Sequence, residues 1–307
     1  VGGHGASGHG TGVAQSWAAK RDALLAELEE PPPVVGSEEE RAKREKIVEG
    51  AHLALISLYR NESAALMLQG EHREAVVAAR QALKFSIKVY GEGALEVVPA
   101  YLLLAEATLG VGKHHQVQEL LSMANWTVVR AGGRVSHGLR SAMHRNFGKL
   151  FAAQGRLEEA LAELARDVYH CALQVGPDHI DTTNGYFHMG SIFAAQGKGD
   201  AAHAFYDKVV DCWYKFLLAA VGGGDPPPSP AQVAEADAML QGVAAARRQR
   251  LGPHHVAVGE AAYTRALLLA WAGQGADAAD LARTAHAVYV ECLGADHPSS
   301  AEVAAFA

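Results

Sequence analysis

The chain has 307 residues, is 49% apolar and 7% aromatic, and contains 59 alanines, a mix that favours packed helices over a β-sandwich or barrel. At about 150 residues per domain, the length admits two ordinary domains or one long repeat array. The formal charge of −7 comes without a basic stripe, which argues against nucleic acid, and no apolar run approaches the roughly 18 residues of a membrane span.

Residues 1–14 (VGGHGASGHGTGVA) offer almost nothing to bury and are expected to be disordered. His4 and His9 could hold a metal weakly, but a solvated tail is the simpler reading. No signal-peptide pattern occurs, and since residue 1 is Val the natural chain is expected to begin earlier. Residues 15–30 read as a short amphipathic helix with Trp17, Leu24, Leu25 and Leu28 on one side. Pro31-Pro32-Pro33 ends it and opens a linker over 31–37. Ser37 is a plausible N-cap for the next helix, with Glu39/Lys43 and Glu40/Arg44 as i,i+4 pairs.

From residue 38 to 307 the glycines keep time. They fall at 70, 91, 112, 133, 155, 176 and 197, then at 252, 273 and 294, with steps of 21 or 22 inside each series. Each interval is helical in pattern, and Gly is the natural residue just past a helix end. Gly70, Gly112, Gly155, Gly197 and Gly273 read as tight turns, whereas Gly91, Gly133, Gly176, Gly252 and Gly294 lead into longer connectors such as VGPDHIDT. The repeating unit is a helix hairpin of 42 residues. Small residues recur where the two helices should touch: Ala75, Ala82, Ala160, Ala202, Ala278, Ala285, and Gly148 and Gly190 on the opposing helix. All eleven prolines fall at segment starts or in linkers.

These features resemble tetratricopeptide repeats, in the long-helix variant of kinesin light chains. The resemblance implies an all-α, right-handed α-solenoid of about five tetratricopeptide-like hairpins.

The clock breaks once. Gly197 to Gly252 is 55 residues where 21 were expected, an excess of 34 that includes GGGDPPPSP. The second helix of the fourth hairpin should run long through Trp213 and Phe216. An inserted loop near 219–231 and a helix from about Pro230 to Arg250 should follow. The insertion reads either as a tolerated loop or as an arm that touches a partner. At the far end, AEVAAFA stops in mid-helix, which should expose Val303 and Phe306 to further chain or a partner.

No nucleophile elbow, P-loop, dinucleotide fingerprint or HExxH motif occurs, so no enzymatic activity, cofactor or small-molecule substrate is expected. Cys171, Cys212 and Cys292 are too far apart for a zinc knuckle and read as buried thiols of a reducing compartment. His114-His115 and His254-His255 read as turn residues, with no completed metal site. Asp178-His179 and Asp296-His297 look like dyads but sit in the repeated connector, where capping explains them, Asp296 being the expected cap.

A helical repeat offers surface instead. Counting back from the tight turns, inward positions include Arg60 and Asn61 in the first hairpin and Glu106 in the second. In the third they include Arg145, Asn146 and Lys149, and in the fourth Asn184, Phe187 and His188. Arg and Asn at equivalent positions could hold a peptide backbone or its carboxylates, or simply line a solvated inner face.

The segments PAYLLLAEATLG (99–110), ANWTVVR (124–130), HRNFGKLFAAQG (144–155), GYFHMGSIFAAQG (185–197) and DKVVDCWYKFL (207–217) resemble the MYND-type zinc finger-containing protein twelve family of cilia and flagella. The three scattered cysteines do not supply that family's finger, so no zinc is implied. The resemblance implies a non-catalytic axonemal scaffold that docks or stabilises a single-headed inner-arm dynein. Its partners would be the inner-arm dynein heavy chain and a second tetratricopeptide-repeat axonemal protein, in the cilium or flagellum and otherwise the cytoplasm. The alternative is a cargo or peptide-binding adaptor of the kinesin-light-chain type. The helical part of a SET/MYND methyltransferase is set aside, because no SET-like strand pattern occurs.

Overall fold

A computed structural model describes residues 8–29, 37–223 and 230–306, and it is all-helical among them, with thirteen α-helices. The Pro31–Pro33 stretch, the first seven residues and the 224–229 part of the expected loop lie outside those residues.

The chain divides into two compact units, Val1–Val135 and Ser136–Ala307. The first holds α1 (Gly8–Glu29), α2 (Glu38–Leu68), α3 (His72–Tyr90), α4 (Val98–Gly110) and α5 (His114–Ala131). The second holds α6 (His137–Ala153), α7 (Leu157–Val175), α8 (Thr183–Ala195), α9 (Gly199–Gly223), α10 (Pro230–Leu251), α11 (Val256–Trp271), α12 (Gly275–Leu293) and α13 (Pro298–Phe306). The expected hairpins are α2/α3, α4/α5, α6/α7, α8/α9 and α11/α12, with α10 as an extra helix.

The turn chemistry explains the glycine spacing. Among the described residues ten have positive φ and all are glycine. After each tight-turn glycine the next N–H reaches the carbonyl five residues back, as in Glu71 to Leu66 (2.9 Å), Arg156 to Phe151 (2.9 Å) and Gln274 to Leu269 (2.8 Å). That bond answers a carbonyl the helix leaves orphaned. The connector glycines differ: Gly91, Gly176 and Gly294 have φ of 83, 104 and 95° with ψ of 151, 155 and 158°. That region is essentially glycine-only. One expected position is corrected: the left-handed residue after α5 is Gly132, not Gly133. Either glycine of the pair can adopt it, and α5 ends one residue sooner because a short 3-10 turn spans Gly132–Arg134.

The connectors also correct the expected cap. In each full connector the histidine ring accepts an N–H two residues on: His179 from Asp181, His255 from Ala257 and His297 from Ser299, each at 3.2 Å. His297, rather than Asp296, therefore starts α13, because its ring already lies over the first turn. Ser37 caps α2 as expected, and Glu40 completes a capping box that the sequence reading did not assign to it, with Glu40 N–H to Ser37 Oγ at 3.2 Å and Ser37 N–H to Glu40 Oε2 at 2.8 Å.

Burial follows the small-residue pattern. Ala75, Ala82, Ala160 and Ala285 are fully buried, with Ala202 and Ala278 nearly so. A Cβ on Gly148 would stand 2.7 Å from Leu164 Cγ and 3.3 Å from the Ala160 carbonyl, so only glycine lets α6 and α7 approach this closely. In the first unit Leu24, Leu25 and Leu28 of α1 pack on Leu55, Ile56 and Tyr59. The second unit has a continuous core across α9 to α13.

Four further expectations change. The first helix begins at Gly8 rather than 15, because adding turns to an existing helix avoids a new nucleation. Likewise α9 runs to Gly223, so 219–223 is helix rather than loop, while α10 starts at Pro230 as expected. Val303 is fully buried and Phe306 packs edge-on against Tyr263 at 5.6 Å, so α13 seats its apolar residues on the core. Cys171 and Cys212 are buried, but Cys292 is exposed because it lies at the end of α12.

Candidate protein-binding surface

The predicted inward residues divide into those the fold uses and those it presents. On α2, Arg60 and Asn61 are exposed. On α6, Arg145 is drawn into the hairpin: its Nε donates to Asp167 Oδ2 at 2.9 Å and its Nη2 to Oδ1 at 3.1 Å. Ser141 Oγ, one turn before it, donates to the same Oδ1 at 2.6 Å. Asp167 is 0% exposed, so Arg145 answers a buried carboxylate and is not simply a groove cation. Asn146 is buried, and its amide donates to the Ala142 carbonyl at 3.0 Å. Phe187 packs on the second unit's core, with its ring 6.2 Å from that of Tyr206. Asn184 is half-buried on α8.

Lys149 and His188 do meet. They line a cleft of about 230 Å³ at α6, α7 and α8, together with Gly148, Leu164 and Ile192. Burial first, then the positive charges of Lys149 and Arg145, push the His188 pKa well down. The imidazole is therefore neutral and the cleft carries the charge of Lys149. Beside it His144 stacks on His170 (5.5 Å between centroids) and bonds Glu163 at 2.7 Å, and His137 meets His170 nitrogen to nitrogen at 3.0 Å. Burial, then its two histidine neighbours, holds the His170 pKa down.

The tempting dyads separate. Asp178 pairs with Lys208 while His179 caps the turn. His254 bonds Glu291 at 2.7 Å. Among the described residues no group of three or more His, Cys, Asp or Glu is placed to hold a metal. No helix there is long and apolar enough to cross a membrane.

Sequence reasoning missed a surface on α5. Val117, Leu121, Ala124 and Val128 form its buried stripe. Met123, Trp126 and Val129 form a second stripe facing out, 52, 69 and 66% exposed. The signal was present in the sequence, since one helix carries two apolar rows and a hairpin needs one. A tryptophan so exposed between two apolar neighbours has the composition that protein interfaces favour.

Similarity to known proteins is found at two levels, one repeat and the longer chain. A tetratricopeptide-repeat family model matches residues 261–299, which span α11, α12 and the start of α13. Among solved structures, the nearly identical TPR-like repeats assigned to a kinesin light chain of Podosopora anserina are 17% identical, with 77% of this chain and 95% of that one covered and a TM-score of 0.41. Aspartyl phosphate phosphatase F from Bacillus subtilis is 14% identical over 91% and 71%, with a TM-score of 0.43. BtubC (BKLC) from P. vanneervenii is 15% identical over 78% and 94%, with a TM-score of 0.34. Among the described residues the chain forms five helix hairpins, and over residues 261–299 it is similar to the tetratricopeptide repeat.

Proposed function

We propose that this chain is a non-catalytic scaffold of motile cilia that helps to dock a single-headed inner-arm dynein on the axoneme. It would contact the dynein heavy chain and a second tetratricopeptide-repeat protein. The observation that carries the docking role is the outward stripe of Met123, Trp126 and Val129 on α5. Trp126 and Val129 fall inside ANWTVVR, one of the segments that resemble the axonemal family, and Met123 directly precedes it. A rigid helix presenting an exposed tryptophan between two aliphatic residues suits a buried hot spot in a protein interface. The test is mass spectrometry of proteins that co-purify with the tagged full chain from detergent-extracted cilia. An inner-arm dynein heavy chain should be recovered with the wild type and lost with Trp126→Ala. Finding the protein only in the cell body would overturn the axonemal reading, and recovery unchanged by Trp126→Ala would overturn the role of α5.

A peptide adaptor of the kinesin-light-chain type is the second reading. The cleft beside Lys149 and His188 favours it, since a lysine at a half-apolar cleft suits an acidic peptide. Arg145 is committed to Asp167, so that reading leans on Lys149 and on the exposed Arg60.

A further inference from the structure

A cavity of about 560 Å³ in the second unit is framed by α9, α10, α11, α12 and α13. The helix that breaks the repeat contributes one side chain to its lining, Arg247. The α10 side chain Arg247 is 1% exposed and fastens α10 to both neighbours. Its guanidinium donates to Asp207 Oδ1 on α9 at 2.5 Å and to the Ala257 carbonyl on α11 at 2.6 Å, with Glu260 at 3.6 Å. The resident cation is thereby committed. Four carboxylates, Asp207, Asp211, Glu260 and Glu302, line the cavity against this one guanidinium. Lys215 answers Asp211 at 2.8 Å.

Glu302 is different. Its Oε1 accepts the Tyr214 hydroxyl at 3.0 Å and the Tyr263 hydroxyl at 3.2 Å. Among the described residues no cation pairs with it and no donor reaches Oε2. Glu302 is exposed and a carboxylate has about four acceptor sites, so its second oxygen faces solvent and is accessible to an incoming donor. Burial, and then Glu302 itself, pushes the Tyr214 hydroxyl up to about 12. Burial likewise raises Tyr263 and Tyr289. The phenols thus remain donors: they orient the carboxylate without neutralising it. Their rings form apolar walls, with Tyr214 and Tyr263 6.1 Å apart. Tyr289 sits so close over Gly259 that a Cβ there would meet its ring at 2.8 Å.

We infer that this cavity is a docking pocket for an arginine side chain of a protein partner, with the guanidinium on Glu302 Oε2 and against the tyrosine rings. An oriented, unpaired carboxylate beside aromatic faces is the chemistry that selects a cation. A planar guanidinium satisfies both elements at once, which the compact ammonium of lysine does less well. The pocket is larger than a guanidinium head, and its rim is open at Asp207, whose side chain is 64% exposed, so there is room for the flanking peptide. The site lies in the second unit, and its test does not depend on the α5 stripe or on an axonemal location.

The experiment is calorimetric titration of the full chain with the peptide acetyl-Gly-Gly-Arg-Gly-Gly-amide. Its citrulline, lysine and glutamate analogues and free arginine serve as parallel probes. The arginine peptide should bind, more weakly as salt is raised. The neutral citrulline peptide should bind at least about tenfold more weakly, and the glutamate peptide should not bind. Glu302→Gln, which keeps an acceptor for both tyrosines, should lower affinity at least about tenfold with an unchanged melting curve. If Glu302→Gln loosens α13, Tyr263→Phe supplies the second variant: it removes one orienting donor, keeps the ring, and should weaken the arginine peptide selectively. Equal binding of citrulline and arginine peptides would overturn the proposal. So would affinity unaffected by both variants, free arginine binding as tightly as the peptide, or no binding of the arginine peptide at millimolar concentration.

Discussion

Replacing Asp167 by alanine should destabilise the second unit by about 3–5 kcal/mol. The carboxylate is 0% exposed and accepts three bonds, from Ser141 Oγ at 2.6 Å and from two nitrogens of Arg145 at 2.9 and 3.1 Å. Hydrogen bonds to a charged group are worth about 1.5–3 kcal/mol each, and those sharing one acceptor do not simply add. The removal also strips the buried Ser141 hydroxyl of its acceptor and takes the counter-charge from a guanidinium only 21% exposed. For the 172 residues of the second unit (136 to 307), each kcal/mol shifts the melting midpoint by about 2–4 °C, so the expected drop is about 6–20 °C. Thermal unfolding followed by far-UV circular dichroism measures the drop, and urea denaturation measures the free energy. The companion variant replaces both partners with apolar residues of similar size, Arg145→Met with Asp167→Leu. It should recover most of the loss, because no uncompensated charge remains. A loss below about 1 kcal/mol for Asp167→Ala, or a double variant as costly as the two single ones added, would refute this account of Arg145. The result also governs how binding data are read. A charge reversal at Arg145 sets two acidic groups together in the hairpin, so any lost interaction would report on the fold.

Gly148→Ala should cost about 1–3 kcal/mol although alanine is the better helix former by about 1 kcal/mol, because the new methyl meets Leu164 and the immobile Ala160 carbonyl. Urea denaturation checks this, and a stabilised variant would show that α6 and α7 can move apart at no cost. His188 sets a pH dependence. Its folded pKa is held well below the unfolded value of about 6.5, so below that pH the unfolded state binds the proton and the native state does not. Stability is therefore complete above about pH 6.5 and falls as the pH drops, with a slope of up to about 1.4 kcal/mol per pH unit for one group. His52, His170 and His203 are pushed down in the same direction, also chiefly by burial. His188→Gln should flatten the dependence between pH 7.5 and 5 by one proton's share. An unaltered slope would mean that His188 is protonated in the fold.

Much of this architecture was legible in the sequence. Helix ends were readable because the backbone past a helix needs positive φ and glycine alone adopts it cheaply, and nine of the ten expected positions were right. Hairpin contacts were readable because helices this close require alanine or glycine, as at Ala160 against Gly148. Even the break in the repeat announced α10 by its length. The candidate site was much less legible. Counting by repeat placed Arg145 and Lys149 alike on an inner face, yet Asp167 on the next helix claims Arg145, while Lys149 lines a cleft. The cap at α13 was misassigned by one residue, because the sequence does not say which way a histidine ring turns.

The sequence by itself determined the local structure: the helices, their turns and the small residues on their touching faces, all set by backbone geometry and packing within a few positions. Only the tertiary structure decided which charges are satisfied and which are left over. Tyr214 and Glu302 are 88 residues apart, and Arg247 reaches back 40 to Asp207. No period relates those positions. They meet because α10 and α13 pack onto the last hairpin, and that packing holds the Glu302 carboxylate between two tyrosine hydroxyls.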